Sequence, residues 1–198
     1  MTQKHTIKEL EKLLKSRDPL KIEDRENFVH AAVMMILEES PQGLSMLFIK
    51  RPESDGDAFS GHMAFPGGKV KVGDESKLAA AIRETQEEVG VDLDACGRVI
   101  GELDDVNPNN PRANNFIVTP YLSVLSKDVP IVPNLLEVEA ALWIPVNHLL
   151  DGRNFAVRMR ERNGKIVEDY VYSFDKYIIW GMTGRILRGF FSISSHLF

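Results

Sequence analysis

Apolar positions along this chain follow two periods. Ile7, Leu10, Leu13 and Leu14 recur three and four residues apart among lysines and glutamates, which predicts an amphipathic helix over 6–16. Apolar runs at 30–37 and 44–49 are separated by Glu-Glu-Ser-Pro-Gln-Gly, the pattern of two strands joined by a turn. A polar loop over 51–61 leads into a short strand at 62–65, which ends on Pro66-Gly67-Gly68. The clearest helix covers 76–89, with Ser76 at its start and Gly90 just past its end. Strands are predicted at 98–106 and 116–125, flanking a Pro/Asn-rich loop over 107–115. Another is predicted at 140–144, with a short helix at 146–150 behind Pro145. Segments 155–160 and 166–174 flank Asn163-Gly164, a pair that favours a tight hairpin turn, and a last helix is predicted over 183–191. Strands before and after a central helix, with many antiparallel connections, imply an α/β (α+β) sandwich around a mixed sheet.

With 198 residues and 43% hydrophobic content, the chain can build one domain with a core; 1–24 reads as a helical extension and 25–198 as the main domain. Charged residues are dispersed, which excludes a disordered chain. A formal charge of −5 gives no general attraction for nucleic acid or an anionic membrane, and neither is expected as a partner. Any polyphosphate ligand then needs local cations or bound metal. Cys96 stands alone, which excludes an internal disulfide and suits a reducing compartment. No apolar leader and no run of about 18 apolar residues is seen, so the expected location is the cytoplasm.

The chemistry concentrates between Ala64 and Val91. Glu84, Glu87 and Glu88 are spaced i, i+3, i+4 and share one helical face, while Leu78, Ile82, Thr85 and Val89 form a separate stripe. The stripe is expected to be buried while the acids project. Clustered carboxylates repel, and hard oxygen ligands are what Mg²⁺ or Mn²⁺ requires, so the face suggests a metal site. A solvated charged face is the alternative for three glutamates taken alone. Gly67 and Gly68 leave bare backbone near the helix, open to a metal or a phosphate.

The whole stretch resembles the Nudix box, Gly-x5-Glu-x7-Arg-Glu-U-x-Glu-Glu-x-Gly-U with U bulky and apolar. Arg83-Glu84-Thr85-Gln86-Glu87-Glu88-Val89-Gly90-Val91 matches its core, with Thr85 at one softened position. Glu75 sits at the family spacing before Arg83. Gly68 lies one residue too far upstream, so that Asp74 matches the acidic position when counted from the glycine. The chain is also similar to the coenzyme A pyrophosphatase-like branch of that family. Leu47-Phe48-Ile49-Lys50-Arg51 and Gly61-His62-Met63-Ala64-Phe65-Pro66-Gly67-Gly68 carry that likeness, although the loop between them is one residue longer than the branch pattern and has no internal Arg.

The resemblance implies a Nudix-type α/β/α sandwich. It also implies metal-dependent hydrolysis of the phosphoanhydride in a nucleoside diphosphate linked to another moiety, coenzyme A among the candidates. Glu84, Glu87 and Glu88, with the Gly68 carbonyl, would bind Mg²⁺ or Mn²⁺; Arg83 would pair with Glu75 or Glu87 and hold the acids in place. Glu137, or a helix glutamate, would be the general base, and Arg51, Gly67 and Gly68 would meet phosphate. Alternative substrates are a nucleotide sugar, ADP-ribose, a dinucleoside polyphosphate or a modified nucleoside triphosphate; a silent nucleotide-binding domain is the alternative from another class. Trp180 and Tyr177 are read as core aromatics first and as base-stacking residues second. Arg158, Arg160 and Arg162 are expected to face solvent on a hairpin that would serve a homodimer contact.

Overall fold

The two apolar runs near the start become the centre of a mixed sheet because both of their faces are covered. In chain order the elements of the computed structural model are α1 (Gln3–Lys15), β1 (Val29–Ser40), β2 (Gly43–Lys50), β3 (Met63–Ala64), β4 (Gly67–Lys69), α2 (Lys77–Val89), α3 (Leu93–Cys96) and β5 (Gly97–Glu102). There follow β6 (Phe116–Leu125), β7 (Ala140–Pro145), α4 (Val146–Leu150), β8 (Phe155–Arg162), β9 (Lys165–Phe174), β10 (Tyr177–Ile179) and α5 (Gly181–Ser194). The structure describes residues 2–24, 26–41, 43–56, 59–108, 113, 115–162 and 164–198, apart from the side chains of Arg162 and Lys165. Asn163 of the predicted turn, 57–58 of the polar loop and most of the 107–115 loop therefore lie outside the described residues.

The main sheet runs β3-β2-β1-β6-β5, with β4 also on β1 and β7 also on β2; β8, β9 and β10 form a second sheet. β1 and β6 are parallel, from Val29 beside Phe116 to Leu37 beside Val124. Alternation along β1 and β2 sends Ala32, Met34, Ile36, Leu47 and Ile49 to the α2 and α3 side. Ala31, Val33, Met35, Leu37, Met46 and Phe48 go to the side covered by α1, α4 and α5. This is the expected sandwich. Among the described residues no helix is long and apolar enough to cross a membrane.

β4, α3 and β10 were not predicted. β4 is three residues with two glycines and so has no apolar pattern to read. The strand predicted at 98–106 stops at Glu102, and Val106 makes an isolated bridge to Val118. Between them, Asp104 accepts hydrogen bonds from Arg17 (2.7 Å) and the Leu20 N–H (2.8 Å), and Asp105 accepts from the Ile22 N–H (3.2 Å). Those carboxylates strap the segment after α1 onto the sheet.

α1 itself joins the main core. Ile7, Leu10 and Leu14 pack in the same cluster as β1 and α5, and Leu14 fills the space that a side chain on Gly101 would take. On the β8–β9 hairpin, Val157, Met159 and Ile166 are exposed on one face, whereas Arg160 lies over Trp180 and so does not simply face solvent.

Leu10 is fully buried. Truncation to Leu10→Ala is expected to cost about 2–5 kcal/mol of unfolding free energy, measured by urea denaturation. An unchanged transition would show that the extension does not stabilise the domain.

Candidate active site

Two of the three helix acids do not project into water. Glu84 and Glu88 are 6% and 2% exposed, and only Glu87 reaches solvent. α2 starts at Ser76, whose hydroxyl accepts the Ala79 N–H, and it lies on the sheet through Ala81, Thr85 and Val89. The acids are covered from the other side by β4, which pairs with β1 at Ala32↔Gly68 and Val33↔Gly67. The Gly67 N–H donates to Glu88 Oε2 at 2.8 Å. A Cβ on Gly68 would stand 2.6 Å from the carboxyl carbon of Glu84, and one on Gly67, at φ +149°, would strike the Ala32 carbonyl. Gly68 lets the strand pass this close to the helix, and Gly67 lets it lie this close to β1.

Arg83 organises the acidic face. Its Nε and Nη2 donate to Asp74 at 2.8 and 2.9 Å in a bidentate pair, and its Nη1 donates to Glu84 at 2.6 Å and Glu87 at 3.0 Å. Asp74, and not Glu75, is thus the partner among the two acids in question; Glu75 is exposed. The Arg83–Glu87 pair is the one the sequence suggested. Lys71 adds a second cation, 3.1 Å from Glu84 and 3.5 Å from Glu87.

Glu137 arrives from a loop docked on the end of the same helix. The Val132 and Asn134 N–H groups donate to the carbonyls of Val89 and Glu88 at 3.0 and 2.9 Å, satisfying acceptors that a helix end leaves open. Carboxylate oxygens of Glu84, Glu88 and Glu137 then fall within 4.8 Å of one another. Glu87 is not in that group; it holds Arg83 and Lys71. Arg51 follows β2 on the face of Leu47 and Ile49, and its charge acts on Glu88.

Burial pushes the Glu88 carboxyl up to about 8, with Glu84 and Glu137 adding to the rise and the Gly67 N–H and Arg51 opposing it. The Arg83 fork has the opposite effect on Asp74, holding it down at about 2. Three convergent carboxylates, two of them buried, form a hard, oxygen-only donor set. Such a set fits a divalent cation such as Mg²⁺ or Mn²⁺, whose charge would offset both the burial of Glu88 and the repulsion from its neighbours.

The NUDIX domain model matches residues 28–170, which holds β1, the glycine pair, α2 and Glu137. The chain belongs to the Nudix hydrolase family. It is 28% identical over 163 residues to the Nudix hydrolase NudL of Photorhabdus laumondii, covering 82% of this chain and 83% of that protein. To NudL of Salmonella paratyphi B and of Salmonella newport it is 34% identical over 129 residues, which is 65% of this chain and 65% of theirs. Its fold is similar to a MutT/nudix family protein from Enterococcus faecalis, at TM-score 0.56 and 18% identity, covering 93% of this chain and 68% of that one. A second likeness is the NUDIX domain of Shewanella oneidensis NrtR complexed with ADP ribose, at TM-score 0.51 and 18% identity, covering 70% and 84%. Nudix enzymes generally use divalent metal ions, in keeping with the acidic cluster.

Because the folded carboxyl of Glu88 titrates near 8 and an ordinary one near 4.5, its contribution favours the folded state at low pH and is lost as pH rises between those values. In chelator, the difference in unfolding free energy between the wild type and Glu88→Gln is expected to change by up to about 1.4 kcal/mol per pH unit from pH 5 to 8, the wild type losing ground. Asp74 works the other way and only below about pH 4. Parallel stability profiles for the two proteins would contradict a buried, destabilised Glu88.

Proposed function

We propose that this Nudix hydrolase cleaves the phosphoanhydride of a nucleoside diphosphate linked to another moiety, with coenzyme A or a derivative as the first candidate. The convergence of Glu84, Glu88 and Glu137 beside the bare backbone of Gly67 and Gly68 carries this reading. Glu84 and Glu88 would hold Mg²⁺ or Mn²⁺, with the Gly68 carbonyl and the solvent-facing Glu87 as further oxygen donors and Glu137 beside them. The cation, when bound, polarises phosphoryl oxygens and neutralises charge on the leaving phosphate.

The protein's own groups do the rest. Arg83 fixes Glu84 and Glu87 through its fork to Asp74, and so acts as a positioning residue. Glu137 is exposed and lies within reach of the buried acids, so its carboxylate is the group best placed to accept a proton from attacking water. Arg51 and the Gly67-Gly68 backbone meet the diphosphate. The similarity of 47–51 and 61–68 to the coenzyme A branch favours that substrate; cleavage would release 3′,5′-ADP and 4′-phosphopantetheine. The buried, free Cys96 is in keeping with a reducing cytoplasm. The exposed Val157, Met159 and Ile166 give a homodimer contact a surface.

A panel of coenzyme A, nucleotide sugars, ADP-ribose and dinucleoside polyphosphates, incubated with Mg²⁺ or Mn²⁺ and read by mass, tests the reading. Chelator should abolish turnover. Glu88→Gln keeps size, removes charge and should lower turnover on the best substrate by about two orders of magnitude while leaving the fold intact. A variant turning over at the wild-type rate would remove Glu88 from the catalytic ligands, and release of orthophosphate as the primary product would contradict anhydride cleavage between the two flanking groups.

A further inference from the structure

Beside Arg51 the start of β3 carries an aromatic pair that hydrolysis itself does not use. β3 continues the β2 register, Ile49↔Ala64 and Lys50↔Met63, so the Arg51 N–H donates to the His62 carbonyl at 3.0 Å. Alternation then sends Arg51 and His62 off the sheet on the side of Ile49 and Ala64, which is the α2 side. Trp180 joins β10 to α5 and lies against the His62 ring, with centroids 4.7 Å apart and planes inclined at 51°. From the second sheet, the Arg160 guanidinium stands over the Trp180 ring, 5.4 Å from its centroid.

Arg160 is aimed there. Asp169, buried on the neighbouring strand, lies 2.8 Å from Arg160 Nε, and a buried carboxylate is costly unless it meets a cation. Trp180, by contrast with Phe48 and Phe190, is not sealed into the core; part of its surface stays open to solvent. A partly exposed indole beside an imidazole and under a guanidinium offers flat, polarisable surface and one cation. Rings of that kind bind any nucleobase by stacking.

We propose that Trp180 and His62, with Arg160 above them, form the subsite for the base of the substrate's nucleoside half, while Arg51 and the acidic cluster take the diphosphate. The assignment rests on the diphosphate reading for what occupies the adjoining site. It makes the tie between β8–β9 and β10 part of substrate recognition, because Arg160 belongs to one and the Trp180 ring follows the other.

Calorimetric titration with ADP and with inorganic pyrophosphate, both in Mg²⁺, separates base from diphosphate. Trp180→Leu should weaken ADP binding by about tenfold or more, Trp180→Phe should recover most of it, and pyrophosphate should bind all three proteins alike. In turnover, Trp180→Leu should raise KM for the nucleoside substrate and change kcat little. Arg160→Ala, a change at a partly exposed side chain, supplies an independent loss of ADP affinity if Trp180→Leu fails to fold. Equal ADP affinity in wild type, Trp180→Leu and Arg160→Ala would overturn the subsite, as would a wild type that binds ADP no better than pyrophosphate. If ADP binding needs Trp180 but no nucleoside diphosphate derivative is cleaved, the hydrolytic reading fails and the subsite stands.

Discussion

Glu84 and Glu88 sit one helical turn apart and are both taken out of water by β4, so two acids share a space of low polarity where like charges would repel. Each would be unstable there without compensation. Glu84 is met by Arg83 and Lys71, Glu88 by the Gly67 N–H and by the charge of Arg51. The compensation is unequal: Glu84 has direct ion pairs, whereas Glu88 keeps a net push toward its neutral form. Much of the local architecture serves to hold this imbalance in place.

The glycine pair is the first consequence. β4 must lie close enough to α2 for Gly67 to donate to Glu88, and at that distance a side chain on Gly68 would collide with Glu84. The second is the Arg83 fork, which ties the helix to Asp74 and to the Lys69 carbonyl, fastening the segment that follows β4 to the helix it covers. The third is the loop that brings Glu137: its N–H groups close the carbonyls of Val89 and Glu88, so the third carboxylate is positioned by the backbone of the same helix. Strand, helix and loop therefore fix the acids together, and loosening any one would let the repelling groups drift apart.

The helix over 76–89, the apolar strands and the sandwich were legible because they rest on period and on end signals: Ser76 and Gly90 bound α2 where expected. The motif also named Glu84 and Glu88. Their burial was not legible, because the helix stripe built from Leu78, Ile82, Thr85 and Val89 predicts solvent on the opposite side, and β4, which covers it, has no hydrophobic pattern of its own. For Arg83 the sequence offers Glu75 or Glu87; the Glu87 pair forms, and the bidentate pair goes to Asp74, the acid that counting from the glycine puts in Glu75's place. The convergence of Glu137 depends on a docked loop and could be ranked from sequence but not placed. Alternation along one hairpin sends Arg160 to solvent and carries no sign of Trp180, which arrives from the far end of the chain to lie under it.

A domain that only bound nucleotides would gain stability by losing these charges. Replacing a buried acid that resists ionisation with a neutral amide of the same size removes repulsion and desolvation cost, at no loss of packing. The chain instead retains both buried acids, adds Glu137 to them, and sets Arg83 and Asp74 to hold one of them in register. Carboxylates that are costly to bury together are also a hard-oxygen donor set suited to a divalent cation. Arrangements that sacrifice stability for charge in this manner belong to chemistry more than to passive binding. Under the proposed diphosphate reading, choice among substrates falls to the surfaces around the acids, which differ in kind: a cation after β2, aromatic rings beyond β3, and exposed leucines at 135 and 136 beside Glu137.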